Sequence, residues 1–223
     1  MLDSNNPKQL IVEGADDLHA VVGLMRDHVD WPPGPHYAPV FIHNGGGLQE
    51  ILKGKLLQTY IKQPTVKIFG VIVDADTAPG GTYKRIRQLC IELFPTMPES
   101  LSEAGLIVAN DDDKRFGVWI MPNNMSQGNL ETFLKYLVPE DAKEAWEHAV
   151  KSVDIAKNLG CPCLDSHTDK ANLYTWLSWQ NPPGQSAGVS LTKRVLDPRG
   201  NSGALFVAWF RNLYELPPRE SLF

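Results

Sequence analysis

Short apolar runs alternate with stretches of helical periodicity over the first 121 residues, and this alternation restricts the fold more than any other feature. Strands are predicted at residues 10–12, 40–43, 67–73, 106–108 and 116–121. Helices are predicted from Asp16 or Asp17 to about residue 25, at 48–61, and from the loop at 79–81 to residue 94. Strands separated by helices are typical of a parallel sheet with both faces covered. The last two strands flank a polar turn and predict a hairpin, so the expected fold class is α/β with a mostly parallel sheet.

The character of the chain changes after Gly128, where the pattern becomes largely helical. Helical stretches are predicted at residues 130–159, with an interruption at Pro139, and at 171–179 and 204–216. Three tryptophans at helical spacing beside leucines are predicted to be core residues rather than surfaces for stacking bases: Trp176, Trp179 and Trp209. We expect an α/β core at residues 1–138 and a helical C-terminal extension at 139–223 packed on it, with one continuous domain as the alternative.

Composition limits the class of partner only weakly. The 223-residue chain has a net charge of -5 and a sequence pI of about 5.7, so no overall attraction to nucleic acid or anionic membranes is expected. Residues 1–8 lack the pattern of a signal peptide, and no apolar run approaches the roughly 20 residues that span a bilayer. Three cysteines do not make a disulfide framework. These features predict a cytoplasmic protein without a membrane partner.

Two carboxylates end the most apolar of the predicted strands. Asp74 and Asp76 follow the run 70–73, and residues i and i+2 of a strand point to the same side. Sheets of α/β proteins bind ligands beyond the carboxyl ends of their strands. Two acids held together there repel each other unless a cation lies between them, and Mg²⁺ prefers carboxylate and water oxygens. The pair therefore predicts a site for a hard divalent cation.

Several motifs together resemble one family. Glu13-Gly14 followed by Asp17, a glycine turn at 45–47, and Asp74-x-Asp76 look like the Toprim domain, which topoisomerases, bacterial primases and OLD-type nucleases share. A small family of unassigned function within that group is similar over most of the chain. The further matching motifs are Trp119-Ile120-Met121-Pro122-Asn123-Asn124, Gly128-x-Leu130-Glu131-x-Phe133 and Thr175-Trp176-Leu177 with Trp179-Gln180 and Pro183-Gly184. The resemblance implies a Toprim-like, Rossmann-like sheet.

The resemblance also implies a function and a set of site residues. The implied function is a Mg²⁺- or Mn²⁺-dependent nuclease that hydrolyses DNA or RNA, in anti-phage defence or repair with an ATPase protein as partner. The implied metal ligands are Glu13, Asp17, Asp74, Asp76 and Glu131. Glu13 is alternatively a general acid or base, and similarity to the OLD-type nucleases suggests that Lys170 stabilises charge in the transition state. Nothing in the chain resembles the domain that carries the topoisomerase tyrosine, so hydrolysis is the simpler expectation.

Each of these residues also has a plain structural interpretation. Asp17 and Glu131 lie at predicted helix starts, where acids favour the helix dipole. Lys170 has the pattern of a surface lysine. The three glycines at 45–47 have the composition of a phosphate cradle, but a flexible turn between a strand and a helix is the default.

Three other functions remain open at this stage. A phosphatase of the haloacid dehalogenase type expects its Asp-x-Asp on the first strand with Thr or Val two places later, where this chain has Ala78. A sugar-nucleotide transferase also uses Asp-x-Asp with a metal, but leaves Glu13-Gly14 unexplained. A non-catalytic regulatory or adaptor protein is the third, and intact strand-end acids argue against it because unneutralised carboxylates serve no packing purpose.

Overall fold

A computed structural model describes residues 5–34, 37–53, 56–75 and 78–219 of the protein. Within these residues the strands are β1 Lys8–Val12, β2 Phe41–Asn44, β3 Ile68–Asp74, β4 Leu106–Ala109 and β5 Arg115–Met121. The α-helices in the same ranges are α1 Ala15–Met25, α2 Leu48–Ile51, α3 Leu56–Ile61, α4 Pro79–Cys90, α5 Leu130–Lys135, α6 Lys143–Asn158, α7 Thr168–Leu177, α8 Ala187–Thr192 and α9 Ala204–Tyr214.

The strands form one sheet in the order β2-β1-β3-β5-β4. The first three of these contacts are parallel, and β4 pairs with β5 in the antiparallel sense. Val12 lies opposite Asn44, and Asp74 lies opposite Met121, so the carboxyl ends of the four parallel strands meet at one edge. The predicted fold class, a mostly parallel α/β sheet covered by helices, is confirmed.

The connections change direction at β1. The strand that follows β1 in the chain lies on one side of it, and β3 lies on the other side. In doubly wound sheets such a reversal opens a crevice at the carboxyl ends of the two strands, and ligands bind there. By this rule a crevice is expected where β1 ends before Glu13 and β3 ends at Asp74.

Both faces of the sheet are covered, because alternate residues of each strand point to opposite faces. Leu10 and Val12 of β1 lie in a cluster with residues of α1, α5, α7, α8 and α9. Ile11 lies in the other cluster, with Val71 and Val73 of β3 and with residues of α2, α3 and α4. The C-terminal helices therefore complete the core on one face of the sheet.

Helix α9 rests on two glycines that face each other across β3 and β5. Gly70 pairs with Gly117. A Cβ atom at Gly70 would overlap the Tyr214 hydroxyl, and one at Gly117 would overlap the side chain of Leu213. The Tyr214 hydroxyl donates to the carbonyl of Gln9 at 2.8 Å. The two glycines thus leave a flat surface that lets the helix approach the backbone of the sheet.

Two helical expectations differ from the structure. The helix predicted over 48–61 is divided into α2 and α3, with the helix-disfavouring Gly54 between them; Gly54 itself lies outside the described residues. Helix α8 lies between the stretches at 171–179 and 204–216, where no helix is predicted. It packs on α1 where Gly23 and Gly188 meet: a Cβ at Gly188 would come within 2.6 Å of the His19 carbonyl oxygen. Six residues are too few for a helical period to stand out in the sequence.

The tryptophan predictions are partly wrong. Trp176 and Trp209 are 1% and 2% exposed, as expected of core residues. Trp179 is 48% exposed, because it follows the end of α7 and packs only partly, beside the ring of His148. The division into residues 1–138 and 139–223 stays a prediction. In the described part of the chain, no helix has the length and apolar character needed to cross a membrane.

The contact between α9 and the sheet predicts a large effect of one methyl group. We expect Gly70→Ala to lower the free energy of unfolding by about 1–3 kcal/mol, because the new Cβ forces Tyr214 away from the sheet. Gly80→Ala in α4 is the matched control: its Cβ meets nothing within 4 Å, and alanine is the better helix former. Urea unfolding of both variants checks this, and equal stability of Gly70→Ala and wild type would contradict it.

Candidate functional site

The side chain of Glu13 joins three segments at the carboxyl edge of the sheet. Its Oε1 accepts a hydrogen bond from the backbone N–H of Asp74 at 2.7 Å, and its Oε2 accepts one from the N–H of Leu48 at 3.0 Å. Leu48 is the first residue of α2. One carboxylate therefore holds the end of β1 against the end of β3 and the start of a helix.

The glycine turn after β2 is used within the protein. Gly45 donates to the Val12 carbonyl at 2.8 Å, and Gly47 donates to the Glu13 carbonyl at 2.9 Å. Gly46 donates to Oδ1 of Asn44 at 3.1 Å. All three amides already have acceptors, so they do not form a phosphate cradle. The segment is a turn that connects β2 to α2, which is the default interpretation of the sequence.

The end of β3 is fixed by the loop that precedes α5. The N–H of Ala75 lies 3.2 Å from the Met121 carbonyl oxygen and 3.1 Å from that of Gly128. Asp74 therefore stands beside the segment that leads to Glu131, and both side chains line the same cleft. Asp76, predicted as the second acid of the pair, lies outside the described residues.

Asp17 is both a helix cap and a member of an acidic group. Its Oδ2 accepts from the Gly14 N–H at 3.0 Å, and the residue is 9% exposed. Burial, then the negative charge of Glu13 and, least of all, that of Glu131 raise the pKa of Asp17 from 3.8 to about 7, against backbone hydrogen bonds that lower it. Glu13, Asp17 and Glu131 thus lie close enough for their charges to interact.

Glu131 and Lys170 form an ion pair across α5 and α7. The Lys170 Nζ lies 3.2 Å from Oε1 of Glu131 and 3.9 Å from Oδ2 of Asp16. Burial disfavours the charge of Lys170, but attraction to Glu131 and a hydrogen bond with it prevail and raise the pKa of Lys170. Lys170 is half-exposed, so it is a surface lysine that also compensates an acid of the site.

A cleft of about 1,090 Å³ opens beside Asp74 and Glu131, whereas Glu13 and Asp17 are not among its lining residues. Asp74 and Glu131 line it on the side of the sheet edge, and residues 165–170 form the wall contributed by the start of α7. Lys135 and Tyr136 at the end of α5 also line it. The cleft is therefore built from both predicted parts of the chain.

Sequence reasoning missed the polar contacts that fasten α5 to α7. The Thr132 hydroxyl donates to Oδ2 of Asp169, and the Lys135 Nζ lies 3.5 Å from Oδ1 of the same residue. Two signals in the sequence point to the α5 side of this contact. Asn129 and Thr132 have the spacing of a reciprocal helix cap, which they form, and Lys135 is four residues after Glu131, on the same side of a helix.

The donor chemistry of the cleft fits a hard divalent cation only in part. Mg²⁺ typically takes one or two protein carboxylates and keeps several waters, and Asp74 and Glu131 are oxygen donors on one cleft. Among the described residues, however, no three or more Asp, Glu, His or Cys side chains are arranged to hold a metal. Both oxygens of Glu13 already accept backbone hydrogen bonds. The metal roles of the five acids stay predictions.

Comparison with known proteins places the chain in one family. A family model with the description "Protein of unknown function (DUF3226)" matches residues 7–215, which include every strand and helix described above. No curated protein and no solved structure matches the chain.

The raised pKa of Asp17 predicts a pH-dependent stability. The folded protein binds the Asp17 proton up to about pH 7 and the unfolded chain only up to about 3.8, so stability falls as pH rises between these values. The full difference corresponds to about 4 kcal/mol. We expect Asp17→Asn, which keeps an acceptor for the Gly14 N–H, to equal wild type near pH 4 and to be more stable at pH 8.

Urea unfolding in a metal chelator at pH 4, 6 and 8 measures this difference. Asp111→Asn, in the exposed turn between β4 and β5, controls for the loss of one negative charge. A stability difference between Asp17→Asn and wild type that does not change with pH would show that the pKa of Asp17 is not raised in the folded protein.

Proposed function

The chain belongs to the DUF3226 family, and we propose that it is a Mg²⁺- or Mn²⁺-dependent nuclease of Toprim type that hydrolyses phosphodiester bonds of DNA or RNA. One observation carries the proposal. Carboxylates from separate segments lie near one another at the carboxyl edge of the sheet, where burial, the charge of Glu13 and, to a smaller extent, that of Glu131 raise the pKa of Asp17. A site that gathers negative charge at a cost to stability is suited to a cation, and phosphoryl transfer needs one.

Different residues of the chain would have different roles in such a site. Asp74, with Asp76, would hold the cation, which when bound neutralises phosphate oxygens and lowers the pKa of a bound water. The carboxyl of Asp17, with a pKa of about 7, can take up or release a proton at neutral pH. Lys170 brings a positive charge to the wall of the cleft, where a phosphate oxygen would gain negative charge.

Glu13 has a positioning role in this scheme rather than that of the general acid or base. Both of its oxygens accept backbone N–H groups, and these bonds set where Asp74 stands relative to β1. Protonation of Glu13 would remove the negative charge that strengthens them. With one cation bound, Asp17 is the better candidate for the acid–base step; with a second cation bound, Asp17 and Glu131 are its proposed ligands and Asp17 no longer exchanges a proton.

An ATPase partner and a cytoplasmic location belong to the same proposal. The net charge of -5 opposes tight unassisted binding to long nucleic acids, since affinity for the phosphate backbone depends on positive charge. A partner that delivers the substrate would remove this obstacle. The partner rests on the resemblance to Toprim proteins that work in anti-phage defence or repair, and the location rests on the composition of the sequence.

A non-catalytic adaptor is the second candidate, and the contacts of Glu13 favour it. A carboxylate that accepts two backbone hydrogen bonds has a sufficient structural reason to be present without any chemistry. In an adaptor the acids at the strand ends would serve to hold the sheet edge together. Metal binding and cleavage separate the two candidates.

The first test is a metal titration. We expect millimolar Mg²⁺ or Mn²⁺ to raise the melting temperature, since a ligand at 100 times its Kd stabilises a protein by about 2.7 kcal/mol. Asp74→Asn removes the proposed ligand and should abolish the increase, whereas Asp111→Asn should retain it. The same increase in wild type and in Asp74→Asn, measured by scanning fluorimetry, would refute the metal site.

The second test is cleavage. The protein is incubated with plasmid, single-stranded DNA, RNA and tRNA, each with Mg²⁺, Mn²⁺ or a chelator. We expect metal-dependent cutting of at least one substrate, lowered by about 100-fold or more in Asp74→Asn and in Asp17→Asn. Cutting that is equal in wild type and Asp74→Asn would assign it to a contaminant. Metal-dependent stabilisation without any cutting favours the adaptor.

A further inference from the structure

An aromatic ring is left open on the wall of the cleft. Tyr136 follows the last residue of α5, lines the cleft and is 39% exposed. Phe133, one turn earlier on the same helix, is 3% exposed and packs beside Phe206 with ring centroids 5.5 Å apart. The inward side of α5 is thus already occupied by apolar residues, and Tyr136 is directed to the ligand side.

A cation lies over one face of this ring. The Lys135 Nζ is 5.7 Å from the centroid of the Tyr136 ring and 3.5 Å from Oδ1 of Asp169. The other oxygen of Asp169 accepts from the Thr132 hydroxyl. Asp169 therefore keeps a hydrogen bond if Lys135 turns toward a phosphate. Proteins that bind single-stranded nucleic acids combine an aromatic face, which stacks on a base, with a nearby cation, which contacts the phosphate backbone.

The spacing along α5 relates this pair to the acids. Glu131 and Lys135 are four residues apart, so they lie about one helical turn, or about 5–6 Å, from each other on one side of the helix. The cleft thus passes from Asp74 and Glu131 at the sheet edge to Lys135 and Tyr136 further out. Its volume of about 1,090 Å³ is slightly above the usual range of ligand sites, which leaves room beyond the reacting phosphate.

We propose that Tyr136 and Lys135 form a nucleotide subsite next to the phosphate that is cleaved, with the Tyr136 ring stacked on an unpaired base and the Lys135 ammonium on a phosphate. This inference rests on the proposed function and adds the substrate class to it. A base inside a duplex is stacked on both faces and paired along one edge, so it reaches the ring only after leaving the helix. The substrate is therefore a single strand, or the single-stranded end of a duplex.

The experiment measures binding separately from cleavage. A short single-stranded oligonucleotide that contains 2-aminopurine is titrated with the full chain carrying Asp74→Asn, in a metal chelator and at low salt. Stacking quenches the fluorescence of this base. We expect Tyr136→Leu to weaken binding by about 10-fold and to reduce the quenching, since each base–aromatic stack is worth about 1–3 kcal/mol. Tyr136→Phe, which keeps the ring, should bind within about twofold of the parent protein.

Two comparisons make the result specific. Trp179→Leu removes another half-exposed aromatic residue, from the end of α7, and should leave binding unchanged. A blunt duplex of the same sequence should compete at least 10-fold less well than the single strand. Equal binding by Tyr136→Leu and its parent, competition by the duplex as strong as by the single strand, or no binding to any oligonucleotide would each overturn the subsite.

The design also separates this inference from the proposed function. Binding that depends on Tyr136 without cleavage by the wild-type chain would support the subsite and refute the nuclease. Cleavage that needs Asp74 but is equal in wild type and Tyr136→Leu on single strands would support the nuclease and refute the subsite. Melting temperatures of all variants exclude misfolding as the cause of a loss.

Discussion

The two hydrogen bonds of Glu13 are the constraint on which the rest of the site depends. They join the end of β1 to residues 35 and 61 positions further along the chain, across the point where the sheet changes direction. Hydrogen bonds to a carboxylate are stronger than those between neutral groups, and here both oxygens are used. The same carboxylate adds its negative charge to the surroundings of Asp17 and helps to raise that pKa. The side chain that joins the segments at the sheet edge thus also makes ionisation of Asp17 less favourable.

The C-terminal helices convert this edge into a cleft. Helix α9 covers the sheet at the paired glycines 70 and 117, and α7 is fastened to α5 through Asp169 and through the pair of Glu131 with Lys170. These contacts bring residues 165–170 to face Asp74. An isolated sheet with its strand-end acids would present an open surface. The added wall gives it a bounded volume in which a ligand loses much of its contact with water.

The strands were predictable because each is a short β-branched or aromatic run bounded by turn residues, and a parallel sheet buries such runs on both faces. The break between α2 and α3 and the six-residue α8 were not predictable, since short helices gain most of their stability from packing rather than from propensity. Trp179 follows the same periodic pattern as Trp176, yet it lies just past the end of α7, where the helical side that faces the core no longer continues.

The sequence by itself determined which acids end strands at a common edge: Glu13 and Asp74 follow apolar runs, and parallel strands place their carboxyl ends together. It contained no measure of how those acids interact. Only the tertiary structure decided that Glu13 is held by backbone amides, that the pKa of Asp17 is raised, and that Lys170 pairs with Glu131. Hydrogen bonding, burial and Coulomb interaction depend on distances in space, and the groups concerned are up to 157 positions apart (Glu13 to Lys170) in the chain.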